Sequence, residues 1–141
     1  MRLVPGLLPF VLSVAACTDA PVEPTQHMPR PDDPSFTLYV SNQSFDLDRV
    51  DITVRIDGEL AVTGDFDVEG QHTWIPFDFG LAPGTHEIVA VTQDGDATLT
   101  KSFTMDDRKF GVLDFWFYPD GPEPTPRQFS FFVTDEAPLF E

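Results

Sequence analysis

The side chains of this 141-residue chain with the most chemistry to offer are carboxylates. Asp65-Phe66-Asp67-Val68-Glu69-Gly70 places oxygen donors at alternate positions ahead of a glycine, as the opening of a calcium loop does. Such a loop needs a bidentate acidic ligand at its twelfth position, where Pro76 stands, and no helical pattern flanks it. The helix-flanked calcium loop is therefore excluded. A looser Ca²⁺ site at one pole of a β-domain remains, drawing on Asp65, Asp67, Asp94, Asp96, Asp106 or Asp107. Solvated acidic turns are the plainer reading of the same residues.

The other reactive types form no constellation. His27, His72 and His86 are scattered without zinc spacing, and Cys17 is the sole cysteine. There is no Gly-x-Ser-x-Gly elbow, Gly-rich phosphate loop or basic patch. No catalytic residue, metal ligand or cofactor is assigned, and an enzyme is not expected. Trp74, Trp116, Tyr118 and Tyr39 are a further group: sharing an exposed face, they would form an aromatic platform for a sugar or a peptide. The alternative is that they pack on the second face of a sheet. The formal charge of −16 repels nucleic acid and anionic headgroups, so no nucleic-acid partner is expected.

One cysteine permits no internal disulfide, so Cys17 needs another explanation. Before it lie Arg2, the only charge in residues 1–16, and the apolar run Leu3 to Ala16. That run is shorter than the roughly 20 residues of a membrane-spanning helix, carries Pro5 and Pro9, and ends in small residues, as a signal peptide does. Val14-Ala15-Ala16-Cys17 resembles the lipobox of bacterial lipoproteins. The resemblance implies cleavage before Cys17, a diacylglycerol on its sulfur and often an acyl chain on its amino group. Two or more chains give stable anchoring, so the lipid bilayer is the first expected partner. In that family an Asp after the cysteine marks inner-membrane retention. Thr18 stands there, so the resemblance implies a cell-envelope protein on the outer membrane, or on the outer face of a single membrane. An ordinary signal peptide cut near Ala16 or Ala20 is the alternative.

Residues 18–34 hold five prolines and no periodicity. Such a chain is extended at about 3.1 Å per residue, so 17–34 is expected to be a tether reaching roughly 50 Å. From residue 35 the pattern is alternation of apolar and polar residues, the mark of half-buried strands. Phe36, Leu38 and Val40 share one face. Val50, Ile52, Val54 and Ile56 share another, and Asp57-Gly58 signals a tight hairpin to Glu59–Val62. Further strands are expected at 72–79, 86–92, 97–105, 110–118 and 128–134, with Pro76 at an edge or bulge and the last strand on a sheet edge. The fourteen Phe argue for a packed core.

Val54-Arg55-Ile56-Asp57-Gly58, with Leu81-Ala82-Pro83-Gly84-Thr85-His86-Glu87-Ile88 after it, resembles PEGA-type and related bacterial immunoglobulin-like modules, although residues 65–80 are longer and the eponymous tetrapeptide is missing. The resemblance covers about a third of the chain and implies a non-catalytic binding or spacer module on a cell surface. The expected organisation is a signal peptide (1–16), a lipidated cysteine with a Pro-rich tether (17–34), and one all-β domain (35–141). That domain is an immunoglobulin-like or transthyretin-like antiparallel β-sandwich of seven to eight strands. The expected role is a membrane-anchored, non-enzymatic module that binds an envelope protein or acts as a spacer. A calcium- or aromatic-dependent module binding a glycan is the alternative.

Overall fold

The computed structural model describes residues 20–68 and 73–140. The lipobox, Cys17, Glu69, Gly70 and His72 lie outside the described residues. The chain folds as an all-β sandwich. Its elements are β1 (Thr25–Gln26), β2 (Phe36–Asn42), β3 (Arg49–Ile56), β4 (Glu59–Asp67), β5 (Ile75–Phe79), β6 (Gly84–Thr92), β7 (Ala97–Met105), β8 (Lys109–Tyr118) and β9 (Thr125–Thr134). One sheet has the order β1-β4-β3-β6-β7 and the other β5-β2-β8-β9.

The alternation forecast from sequence is the alternation of burial. Val50, Ile52, Val54 and Ile56 are at most 1% exposed, and the residues between them face outward. Asp57 (φ 52°) and Gly58 (φ 78°) both adopt positive φ, as a two-residue hairpin whose twist matches its strands requires. Phe36, Leu38 and Val40 of β2 and Leu113 and Phe115 of β8, flanked by Phe77 and Phe79 of β5 and Phe129 and Phe131 of β9, supply the second sheet's half of the core. Eight of the described Phe are buried in the core. Phe103 stacks on Phe36 at 5.1 Å and meets Phe131 edge-on at 5.6 Å, while Phe115 meets Phe129 the same way at 5.6 Å.

Three features depart from expectation. First, β4 runs on to Asp67, so Asp65-Phe66-Asp67 is strand and not loop. Phe66, 2% exposed, is a core residue between two outward carboxylates. Second, the sheets are not purely antiparallel, because β2 and β8 pair in parallel from Phe36↔Lys109 to Asn42↔Phe115. Four strands of the first sheet, β3, β4, β6 and β7, lie between these strands in sequence, so no hairpin fixes their relative direction. Third, the Pro-rich run is extended, but from Val22 onward it lies along the sandwich. β1 pairs with the edge of β4 (Thr25↔Thr63), the Asp65 amide donates to Val22 O (2.7 Å), and the His27 amide donates to Ala61 O (2.8 Å). The Gln26 amide donates to Asp78 O (2.7 Å) and accepts from the Asp78 amide (3.2 Å), which ties the strap to β5 on the other sheet. Arg30 pairs with Asp78 at 2.7 Å. Gly64 makes this approach feasible: a Cβ there would stand 2.4 Å from Pro24 Cα.

Bulges fit the strands to their partners. Val54 faces Val62 but Arg55 faces Leu60, which leaves Ala61 as the extra residue and explains why Ala61 and Val62 are both buried. A second irregularity lies opposite Phe117, where β9 passes Pro126 and Arg127 between its partners of Trp116 and Tyr118. At the open side of the sandwich, Lys101 of β7 donates to Phe131 O of β9 (3.2 Å). A cation on the inward row of an edge strand discourages pairing with another chain.

Candidate interaction surface

The outer face of the four-stranded sheet is unlike an ordinary solvated one. Strand alternation puts Tyr39 and Ser41 of β2, Val112, Asp114 and Trp116 of β8, and Ser130 and Phe132 of β9 on this side. Pro76, Tyr39, Val112 and Phe132 are successive cross-strand partners, and Ser41, Asp114 and Ser130 form the next row. Trp74, one residue ahead of β5, leans onto this second row. Three of the four aromatic residues singled out in the sequence, Tyr39, Trp74 and Trp116, are therefore on one face. Tyr118 is at its end, where its hydroxyl donates to Gln43 O (2.6 Å) and Phe45 covers its ring.

A carboxylate sits at the centre. Asp114 is 5% exposed, and its Oδ1 accepts from Ser41 Oγ (2.5 Å) and from the Trp74 indole N–H (2.8 Å). Burial pushes the Asp114 carboxyl up, and those two hydrogen bonds act against that shift. The Trp116 indole N–H donates to Ser130 Oγ (2.8 Å). Ser41 and Val112 beside it are each 1% exposed.

The cover over part of this face is the segment after β9. Phe140 stacks on Trp74 with ring centroids 4.0 Å apart and planes 13° from parallel, and meets Tyr39 edge-on at 5.1 Å and 65°. Both are favourable aromatic geometries, worth about 0.5–1.5 kcal/mol each beyond the burial itself. Leu139 beside it is 91% exposed, and Phe132 is 50% exposed. Ordering each residue of such a segment costs about 1–2 kcal/mol of backbone entropy. The Phe140 ring, the Thr134 Oγ1 hydrogen bond to Glu136 O (2.8 Å) and the Lys109–Asp135 ion pair hold a segment that carries no strand among its described residues.

The acidic residues considered for calcium divide between the two poles. Asp94 and Asp96 are in the β6–β7 turn, and Asp106 and Asp107 lie past the other end of β7. The nine-residue strand between them puts Asp96 and Asp106 about 33 Å apart, which corrects the single-pole arrangement. Asp65 and Asp67 are at the Asp94 end but have partners: Asp65 Oδ2 accepts the Val22 amide (2.8 Å), and Asp67 pairs with Arg49 (2.6 Å). Among the described residues no three of His, Cys, Asp and Glu are grouped to hold a metal ion. A cleft of about 210 Å³ lies beside Asp65 and Asp67 where the strap meets β4.

His86 and Asp57, the distinctive residues of the two segments resembling PEGA-type modules, meet. His86 Nδ1 is 2.6 Å from Asp57 Oδ2, and Nε2 is 2.6 Å from Ala82 O. Two acceptors on one imidazole ask for a proton on each nitrogen. Burial opposes the charge, but the bonds to Asp57 and Ala82 outweigh it and raise the His86 pKa. The bond to His86 and that from the Glu87 amide lower Asp57. His86 thereby latches the β3–β4 hairpin to the turn before β6.

Asp114 and Phe140 drew no attention in the sequence. The signal for Asp114 was present: one carboxylate within the most aromatic strand, at a position whose neighbours are apolar. Phe140 follows an acidic, Pro-containing stretch and belongs to no periodic pattern. Compared with known proteins, the chain matches no family model, no curated protein and no solved structure.

Proposed function

We propose that this chain is a lipid-anchored envelope protein whose sandwich is a non-catalytic interaction module, and that the module binds through the outer face of the four-stranded sheet. The observation that carries the interaction reading is the Tyr39–Trp74–Trp116 face around Asp114. It is an aromatic surface on which the Trp74 and Trp116 indoles and Ser41 are engaged by Asp114 and Ser130, and the segment carrying Phe140 covers part of it. The anchor reading rests on Val14-Ala15-Ala16-Cys17. The likeness to PEGA-type modules points the same way. Among the described residues the one histidine–carboxylate pair, His86–Asp57, has both ring nitrogens engaged and none left to move a substrate proton, which supports a role without catalysis.

The strap changes what the anchor implies. Five Cα steps separate Cys17 from Val22, the first strap residue bonded to the sandwich, and at 3.3–3.6 Å each they span at most about 18 Å. A lipidated Cys17 therefore keeps the Asp65–Asp67 end of the sandwich close to the headgroups. Palmitate labelling and membrane fractionation of the parent and Cys17→Ser test the anchor. Label and membrane association lost together support it. A Cys17→Ser protein that still sediments with membranes, with an unmodified thiol in the parent, refutes it. A second reading, a glycan platform, has the placement of Trp74, Trp116 and Tyr39 on one face for it and the engagement of both indole N–H groups against it. A glycan array on the purified chain tests it.

A further inference from the structure

We infer that the Tyr39–Trp74 cradle is a binding site for an aromatic side chain carried on an extended, Pro-containing peptide segment of a partner protein, and that Pro138-Leu139-Phe140 occupies it in cis. This rests on the interaction-module reading and names the site's ligand class. The seated ring defines the shape: a planar ring face over Trp74 at 4.0 Å, with its edge toward Tyr39 at 5.1 Å. Most of the polar groups here are already engaged, which weighs against a sugar. A sugar site needs donors and acceptors free to meet hydroxyls. Here the Trp74 indole N–H and Ser41 Oγ both point into Asp114 Oδ1, the Trp116 N–H is held by Ser130, and Ser41 and Asp114 are sealed below the rings. What the cradle offers, apart from the Tyr39 hydroxyl, is ring surface.

The cis occupant is replaceable. Leu139, between the half-buried Pro138 and Phe140, is 91% exposed, and Phe140 is the ring that the segment seats on Trp74. Phe132, on the same face, is 50% exposed and offers a competing segment additional apolar contact. Charge adds direction. The chain carries −16, and exposed Asp135 and Glu136 lead into the seat, so a competitor flanked by Lys or Arg is favoured over an acidic one.

The test uses the full purified chain and the synthetic peptide Lys-Ala-Pro-Leu-Phe-Lys, followed by tryptophan fluorescence. Phe140→Ala empties the seat without touching the core. It should bind the peptide saturably and about tenfold more tightly than the parent, because a cis occupant taxes affinity by the fraction of time it fills the site. Replacing the peptide's Phe by Ala, or Trp74 by Leu, should abolish binding. Trp116 in Trp74→Leu still reports the fold, and Tyr39→Leu gives a second variant that keeps both tryptophans. No saturable binding by Phe140→Ala, equal affinity for parent and variant, or equal binding of the Phe-free peptide overturns the inference. So does a fluorescence response to oligosaccharide in place of peptide. None of these outcomes bears on Cys17, so the anchor stands or falls separately.

Discussion

Substituting Gly64 by Ala tests whether the strap is part of the fold. The new Cβ would lie 2.4 Å from Pro24 Cα, 2.7 Å from Pro24 N and 2.9 Å from Glu23 O, all backbone atoms that no rotamer change can move aside. Carbon atoms rest about 3.5–4.0 Å apart, so the strap must withdraw by more than 1 Å. A bond of 2.7 Å between the Asp65 amide and Val22 O does not survive that retreat, nor does the 2.8 Å bond from the Val22 amide to Asp65 Oδ2. With the adjoining Thr25↔Thr63 pairing, two or three hydrogen bonds go, at about 0.5–1.5 kcal/mol each. The φ of 155° at Gly64 adds strain for any L residue. A loss of about 2–4 kcal/mol is expected, on the order of 10 °C in Tm for a domain of this size. Amide exchange at Asp65 and His27 should rise ahead of that at Ile52 and Val54, and proteolysis should cut within 22–34 first. A Gly64→Ala protein with unchanged Tm and unchanged protection at Asp65 would refute the packed strap and restore a free tether.

The His86–Asp57 latch sets a pH window. The raised His86 pKa means that its contribution is whole below the ordinary histidine value of 6.5 and fades as pH rises through the raised folded value, while the lowered Asp57 pKa means that its share is lost only as pH falls well below 3.8. Urea midpoints should therefore fall from pH 6 to pH 9 in the parent and stay flatter in His86→Gln; parallel profiles would show that the pair is not coupled to folding. Phe66→Ala removes a 2%-exposed ring packed edge-on to Phe77 and should cost about 3–5 kcal/mol by chemical denaturation, whereas the loop reading of 65–70 would make it nearly neutral. Lys101→Leu should leave the monomer's stability within about 1 kcal/mol but raise self-association in sedimentation velocity, because it takes a cation off the inward row of an edge strand. A variant as monodisperse as the parent would show that the edge is guarded by something else.

What could be read from the residues, and what could not, divides along a physical line. β3, β6 and β7 were legible because one face of each is core and the other water, so the period of 2 is written in the sequence. Asp57-Gly58 was legible because positive φ at two consecutive positions admits few residues. The strap was not, because its place is set by contacts made one residue at a time across the sandwich: a missing side chain at Gly64, the two ends of the Gln26 amide meeting β5, and one bulge carbonyl at Ala61. None of these has a period. The same holds for the aromatic face. Trp74, Trp116 and Tyr39 were visible as residue types, but only the parallel β2–β8 register, which no local pattern encodes, brings Ser41 beside Asp114 and so gives the Trp74 indole its acceptor. A solvated outer face would have shown polar residues along β8; here Val112, Asp114 and Trp116 alternate with Leu113 and Phe115, so the strand is buried on both sides. A strand buried on both sides in a two-sheet protein needs a third layer. The segment carrying Phe140 supplies part of one, and under the proposed interaction reading the exposed Leu139 and Phe132 are where a partner would complete it.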